Sequence, residues 1–188
     1  EPGPVRGDMR RLGRWLPLLL VPTALLPDLA AALPLRTYFF RDFTVGELIA
    51  DGLPDDVDRR LCAQVASCLQ FDLPLHHQDE ETALFPILRM RALPEDGLEV
   101  ILDRLASEHT LDTDFASEIA EALELLVNGG RIGNANTVGY MLRGFFERYR
   151  RHVHWENTLI MPVARLRLTP EDLALIAVRM DANRSKTS

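Results

Sequence analysis

An all-α fold, an antiparallel up-and-down four-helix bundle with an N-terminal arm and a short C-terminal helix, is what this sequence predicts, and three observations carry the prediction. From about residue 35 onward, apolar residues recur at helical spacing. The breaks at Pro94-Glu95-Asp96-Gly97 and Gly129-Gly130 are short, and short connections place successive helices antiparallel. His76-x-x-x-Glu80, followed by Thr82 and Pro86, recurs as His152-x-x-x-Glu156, followed by Thr158 and Pro162, so two helices share one local design.

Taken in chain order, residues 1–33 are rich in Pro and Leu without a sustained helical period, and read as an arm packed on the domain. The stretch from Trp15 to Leu33 follows Arg10, Arg11 and Arg14 and has the outline of a signal peptide. Pro17, Pro22 and Pro27 break it, and Asp28 interrupts an apolar run already shorter than the roughly 20 residues of a membrane helix, so no membrane association is expected. The bundle is expected over 34–168, with helices over 35–50, 55–91, 95–128 and 136–168. Thr169 reads as an N-cap and Pro170 as a first helical residue, opening a terminal helix to about Met180, with 169–188 as its segment. Pro74 and Pro86 predict kinks bracketing His76 and Glu80, and Pro162 a bend at the matching place in the fourth helix.

At 188 residues the chain is long enough for one well-filled core. Its net charge of −7, without a concentrated basic stripe, argues against a nucleic-acid face. Cys62 and Cys68 read as small core residues, which fits a reducing cytoplasm. No Gly-x-Ser-x-Gly elbow occurs, and Gly129, Gly130 and Gly133 read as a helix-ending turn rather than a phosphate loop.

Residues four apart on a helix share a face, so each His-x-x-x-Glu pair presents a nitrogen and an oxygen donor to one point. The stripe through His152 contains Phe145, Tyr149, Glu156, Ile160 and Val163; that through His109 contains Leu102, Leu105, Asp112, Ala116 and Ile119; that through His76 contains Leu69, Leu73, Glu80, Ala83 and Ile87. Ionisable residues thus stand where a bundle core calls for leucine, and buried carboxylates require partners or a cation. His77 and His154 fall off these stripes and are read as solvated, with His77 and Glu81 an alternative register.

With Leu73-Pro74-Leu75-His76 through Glu80, Glu108-His109, and His152 through Glu156, the chain resembles the hemerythrin-like, or HHE cation-binding, family of four-helix bundles over about 34–168. The resemblance implies a non-haem iron protein, di-iron or mononuclear, with manganese and zinc compatible with the same nitrogen and oxygen donors. It further implies Glu80 and Glu156 as bridges, His76 and His109 at one metal, His152 with Asp42 at the other, and open positions for O2, NO or peroxide. Phe85, Phe115, Phe145, Phe146 and Trp155 would line the pocket. Such a protein would sense or bind the ligand, or serve iron and redox homeostasis, without needing turnover. Two departures accompany the resemblance. Residues 1–61 contain no histidine, so the family's first ligand is replaced, with Asp42 either an oxygen substitute or a solvent-facing residue. Thr113 stands four residues after His109 where oxygen carriers place a second histidine, with Asp112 a weaker alternative. The competing readings are a metal-free bundle acting as an interaction module and a di-iron oxidase, whose Glu-x-x-His pattern is missing. An exposed arm would favour a homodimer.

Overall fold

The computed structural model describes residues 44–187; the expected arm, the start of the first helix and Asp42 lie outside the described residues. Helices alone make up the regular structure there, without a strand among the described residues. In order they are α1 (Thr44–Gly52), α2 (Arg59–Ser67), α3 (Leu73–Asp79), α4 (Phe85–Arg91), α5 (Leu98–Val127), α6 (Ala135–Trp155), α7 (Met161–Arg167) and α8 (Pro170–Thr187). Widened π-turns at Cys68–Asp72 and Glu80–Leu84 fuse α2, α3 and α4 into one helical run, 59–91, and a third at Glu156–Ile160 fuses α6 and α7 into the run 135–167.

The expected kinks are these π-turns, and the prolines explain them. Pro74, Pro86 and Pro162 each stand second in the α-helix that follows a π-turn. A proline ring collides with the carbonyl four residues back and offers no N–H to it. An extra residue in the turn relieves both problems, because the preceding residue bonds one step further back: Leu73 to the carbonyl of Cys68, Phe85 to that of Glu80, Met161 to that of Glu156. The repeated threonines serve the same turns, Thr82 donating to the carbonyl of Gln78 and Thr158 to that of His154, each at 2.7 Å.

Helix starts follow their caps. Asp58 accepts from the backbone N–H groups of Arg60 and Leu61, so the second run starts at Arg59 rather than at residue 55. Gly97, at φ 60°, supplies the left-handed turn into α5. Thr169 and Asp172 cap α8 reciprocally, hydroxyl to one backbone N–H and carboxylate to the other, with Pro170 first in the helix as expected. The terminal helix is longer than expected and continues to Thr187. It does so because it has polar partners along its length: Asp79, buried, accepts from Asn183 at 2.9 Å and from Arg184 at 2.8 Å, while Arg91 grips Asp172 through two bonds.

Two apolar clusters fill the interior. The first joins α1, α2, the C-terminal half of α5 and the N-terminal half of α6, with Leu69, Leu73, Ala116, Ile119, Phe145 and Tyr149. The second joins α4, the N-terminal half of α5, α7 and α8, with Ala83, Ile87, Leu102, Leu105, Ile160 and Ile176. The run 59–91 passes from the first cluster to the second, α5 from the second to the first, and the run 135–167 from the first to the second. In each case the crossing point is where the sequence places His and Glu. Gly46 lets α1 lie close to α6, since a Cβ there would run into the Phe146 ring. No helix among the described residues is long and apolar enough to cross a membrane.

Replacing Asp79 by alanine removes a buried carboxylate together with its charge-assisted bonds to α8, and is expected to cost about 1–3 kcal/mol. Arg143→Ala, which removes an exposed pair with Asp51, is expected to cost less than about 1 kcal/mol. Urea unfolding midpoints of the two variants, measured side by side, check the ordering.

Candidate metal centre

Between the two apolar clusters lies a polar layer built from three helical runs. His76 and Glu80 come from α3 and the π-turn after it, His109 from α5, and His152 and Glu156 from α6 and its following π-turn. Glu80, His109, His152 and Glu156 are buried, and His76 is half-buried at the rim. One donor atom from each of Glu80, His109 and His152 lies within 4.8 Å of the other two, and the same holds for His76, Glu80 and Glu156. Glu80 therefore belongs to both groups.

The distances give the arrangement. Glu80 Oε2 is 3.2 Å from His109 Nε2 and 3.8 Å from His76 Nε2, and Glu156 Oε1 is 2.8 Å from His152 Nε2 and 3.6 Å from His76 Nε2. His109 Nε2 and His152 Nε2 face each other at 3.2 Å. α5 and α6 bring the His109 and His152 rings together, while His76 stands against both glutamates and shares Glu80 with His109.

Two outer carboxylates orient this set. His109 Nδ1–H donates to Glu81 at 2.8 Å, and His152 Nδ1–H to Glu108 at 3.2 Å. Glu108 is itself held by Arg104 at 3.0 Å, and the Arg104 guanidinium rests on Trp155. Fixing the proton on Nδ1 turns the Nε2 lone pair inward, the arrangement a metal-bound imidazole needs. Glu81 and Glu108 were not singled out as supports from the sequence; each directly adjoins a donor, Glu80 or His109, which was the available signal.

Electrostatics follow from crowding acids and imidazoles out of water. Burial opposes charge on His76, yet Glu80, Glu156 and Asp79 beside it raise it to about 9. Burial likewise opposes charge on Glu156, but His152 and His76 hold its carboxyl at about 2. His152 is also raised against its burial, by Glu156, Glu80 and Glu108. The interior thus attracts positive charge.

The donor set fits a cation. Glu80 Oε2 and Glu156 Oε1 are buried without an aligned hydrogen bond despite the imidazole nitrogens around them. The donor atoms of each group lie within 4.8 Å of one another, close enough to share a cation. Oxygen and nitrogen donors without thiolate suit iron, manganese or zinc.

Other expected residues are placed as follows. Asp112 is fully buried but engaged by Arg148 at 2.6 Å, outside both donor groups, because α6 sets Arg148 across from it; burial raises its pKa, partly offset by that arginine. Phe85 stacks on His109, and Phe145 stacks on Tyr149, which stacks on His152. Phe146 belongs to the first apolar cluster, whereas Phe115 and Trp155 are partly buried beneath Arg148 and Arg104. His154 is exposed, as expected. His77 is not: it is 4% exposed, and its ring lies on that of His109 with centroids 4.0 Å apart and planes 11° from parallel. The π-turn before α3 rotates the residue after His76 inward, a local change that a uniform helical period does not contain. Burial, and then the neighbouring His109, His76 and His152, push its pKa far below the usual histidine range.

An all-helical interior crossed by a layer of histidines and glutamates on three runs defines a helical protein of the cation-binding class. The chain belongs to the hemerythrin HHE cation-binding domain family, whose model matches residues 37–164. No curated protein and no solved structure gives a match.

The protonation pattern sets a pH dependence for protein freed of cations by a chelator. Because the folded His76 value, about 9, exceeds its ordinary 6.5, its stabilising contribution is complete below pH 6.5 and is lost as pH rises through 9. His77 lies below 6.5, so the unfolded chain takes up a proton there that the folded chain refuses, and stability falls as pH drops below 6.5. The thermal midpoint is therefore expected to peak near pH 6.5. Midpoints that climb steadily to pH 9 would contradict this assignment.

Proposed function

We propose that this chain is a non-haem iron-binding protein whose His76, Glu80, His109, His152 and Glu156 hold two iron ions inside an up-and-down four-helix bundle. It binds or senses O2, NO or peroxide, or serves iron and redox homeostasis. The observation that carries the reading is the convergence of these five donors on one interior space, with two buried carboxylate oxygens left without aligned hydrogen bonds. Bundle limits of 34–168, an arm over 1–33 and a C-terminal segment over 169–188 complete the organisation we infer.

The chain's own residues divide the work. Glu80, common to both donor groups, and Glu156, between His76 and His152, would be the carboxylates shared by two ions. Glu81 and Glu108 hold His109 and His152 with their inner nitrogens free. We assign the role of substitute oxygen donor to Asp42, which lies outside the described residues, in place of a histidine that residues 1–61 do not contain. Phe85, Tyr149 and Phe145 exclude water from the imidazoles. Bound iron would supply redox chemistry and open positions for a small ligand. A metal-free interaction module would have to keep two carboxylates buried against imidazoles alone, whose attraction must offset a desolvation cost of several kcal/mol per ion.

Elemental analysis of anaerobically purified protein is expected to give about two irons per chain, the stoichiometry of a two-metal site. His76→Ala and His152→Ala lower that content several-fold, whereas His154→Ala, at an exposed position, leaves it unchanged. Equal losses in all three would refute the assignment. Asp42→Ala lowers the content to about one if Asp42 completes the second metal's donor set. Because a metal must displace the proton that His76 holds up to about pH 9, affinity is expected to rise from pH 6 to 8, with proton release on titration.

A further inference from the structure

The expected donors leave one buried imidazole of this region without a role. His77 is 4% exposed, and neither of its ring nitrogens has a hydrogen-bond partner among the described residues. The two buried histidines beside it differ: His109 leans on Glu81, and His152 on Glu108. A buried imidazole with no partner on either nitrogen is costly wherever apolar residues alone surround it. His77 has other surroundings, its ring centroid lying 4.0 Å from that of His109, 5.8 Å from that of His76 and 6.2 Å from that of His152.

Its geometry rules out a place in the primary donor set with His109. A metal lies near the plane of each imidazole that ligates it, and two rings stacked 4.0 Å apart and 11° from parallel do not direct in-plane lone pairs to one point. Nor do its nitrogens join either donor group in which all atoms are within 4.8 Å of one another. A small molecule taken up at a metal held by these donors would, however, lie against the side chains that surround them, and His77 is one of these. On the side where His109 and His152 meet, His77 has a ring N–H that no group among the described residues accepts.

We propose that His77 is the hydrogen-bonding residue for the small ligand taken up at this centre, holding a diatomic molecule or small anion on the His109–His152 side through its ring N–H. The inference rests on the metal-centre reading above and adds a residue outside the donor set. His77 is a positioning residue for the ligand, and in any protonation state its ring offers at least one N–H.

Azide is a suitable probe, being a small linear anion with hydrogen-bond acceptors at both ends. The iron-loaded, air-oxidised full chain is titrated with azide optically, and iron per chain is measured on the same samples. His77→Phe keeps a ring to stack on His109 and removes the N–H; His77→Gln keeps an N–H and removes the ring. Expected are iron contents equal to the unsubstituted chain in both, a roughly tenfold weaker azide Kd for His77→Phe, the scale of one hydrogen bond, and a near-unchanged Kd for His77→Gln. Unchanged azide binding in His77→Phe, or weakening in His77→Gln alone, would show a packing role and overturn the proposal. Loss of iron in both variants to the level of His152→Ala would make His77 a ligand and overturn it as well. Failure of the unsubstituted chain to take up iron would instead remove the metal-centre reading, and this inference with it.

Discussion

Everything in the interior depends on one constraint: two glutamates are buried at mid-bundle, where a carboxylate is tolerated only with opposite charge beside it. Glu80 and Glu156 are met by imidazoles from other helical runs, Glu80 by His109 and Glu156 by His76, and the raised His76 brings positive charge to the layer. The interaction therefore ties the runs together between the two apolar clusters of the interior. The runs 59–91 and 135–167 are read across this layer in the same way, apolar cluster, His–Glu donor pair, apolar cluster, and α5 crosses it with His109 alone, so the layer also fixes the register of one helix against the next.

Delivery of the donors depends on the prolines. In a regular α-helix Pro86 and Pro162 would each strand a carbonyl and strain the turn before it. The π-turns that absorb this strain begin at Glu80 and Glu156 themselves, so the backbone adjustment and the functional carboxylate coincide. A widened turn changes the direction of the residues on either side by a fraction of a helical step. Its consequence is visible at His77, which is buried, although a uniform period places it outside the inward stripe.

That difference shows what was legible in the sequence and what was not. Apolar periodicity and caps announced the helices, the two spaced repeats announced four of the donors that the structure brings together, and the apolar stripe through His109 announced the fifth. Capping chemistry is local, and Thr169-Pro170 was legible for that reason. Three features depended on tertiary placement instead. The pairing of His109 with His152 is decided by how α5 and α6 face each other, the support from Glu81 and Glu108 by which imidazole each reaches, and the length of α8 by its partners on α3. No spacing rule encodes these contacts, since each joins residues far apart in the chain.

Charge balance gives the layer a direction of preference. Four carboxylates, Glu80, Glu81, Glu108 and Glu156, contact the imidazoles of His76, His109 and His152. With the carboxylates ionised and the imidazoles neutral, such a cluster carries four negative charges, the complement of two divalent cations. Without cations, protons on His76 and His152 meet part of the same demand, which is why both are raised above their ordinary value against the effect of burial. Protons and metal ions therefore compete for one set of lone pairs. The outer glutamates belong to that competition as much as the inner ones: by holding Nδ1–H they favour the tautomer that points Nε2 inward, and by their charge they stabilise whatever cation lies beyond it.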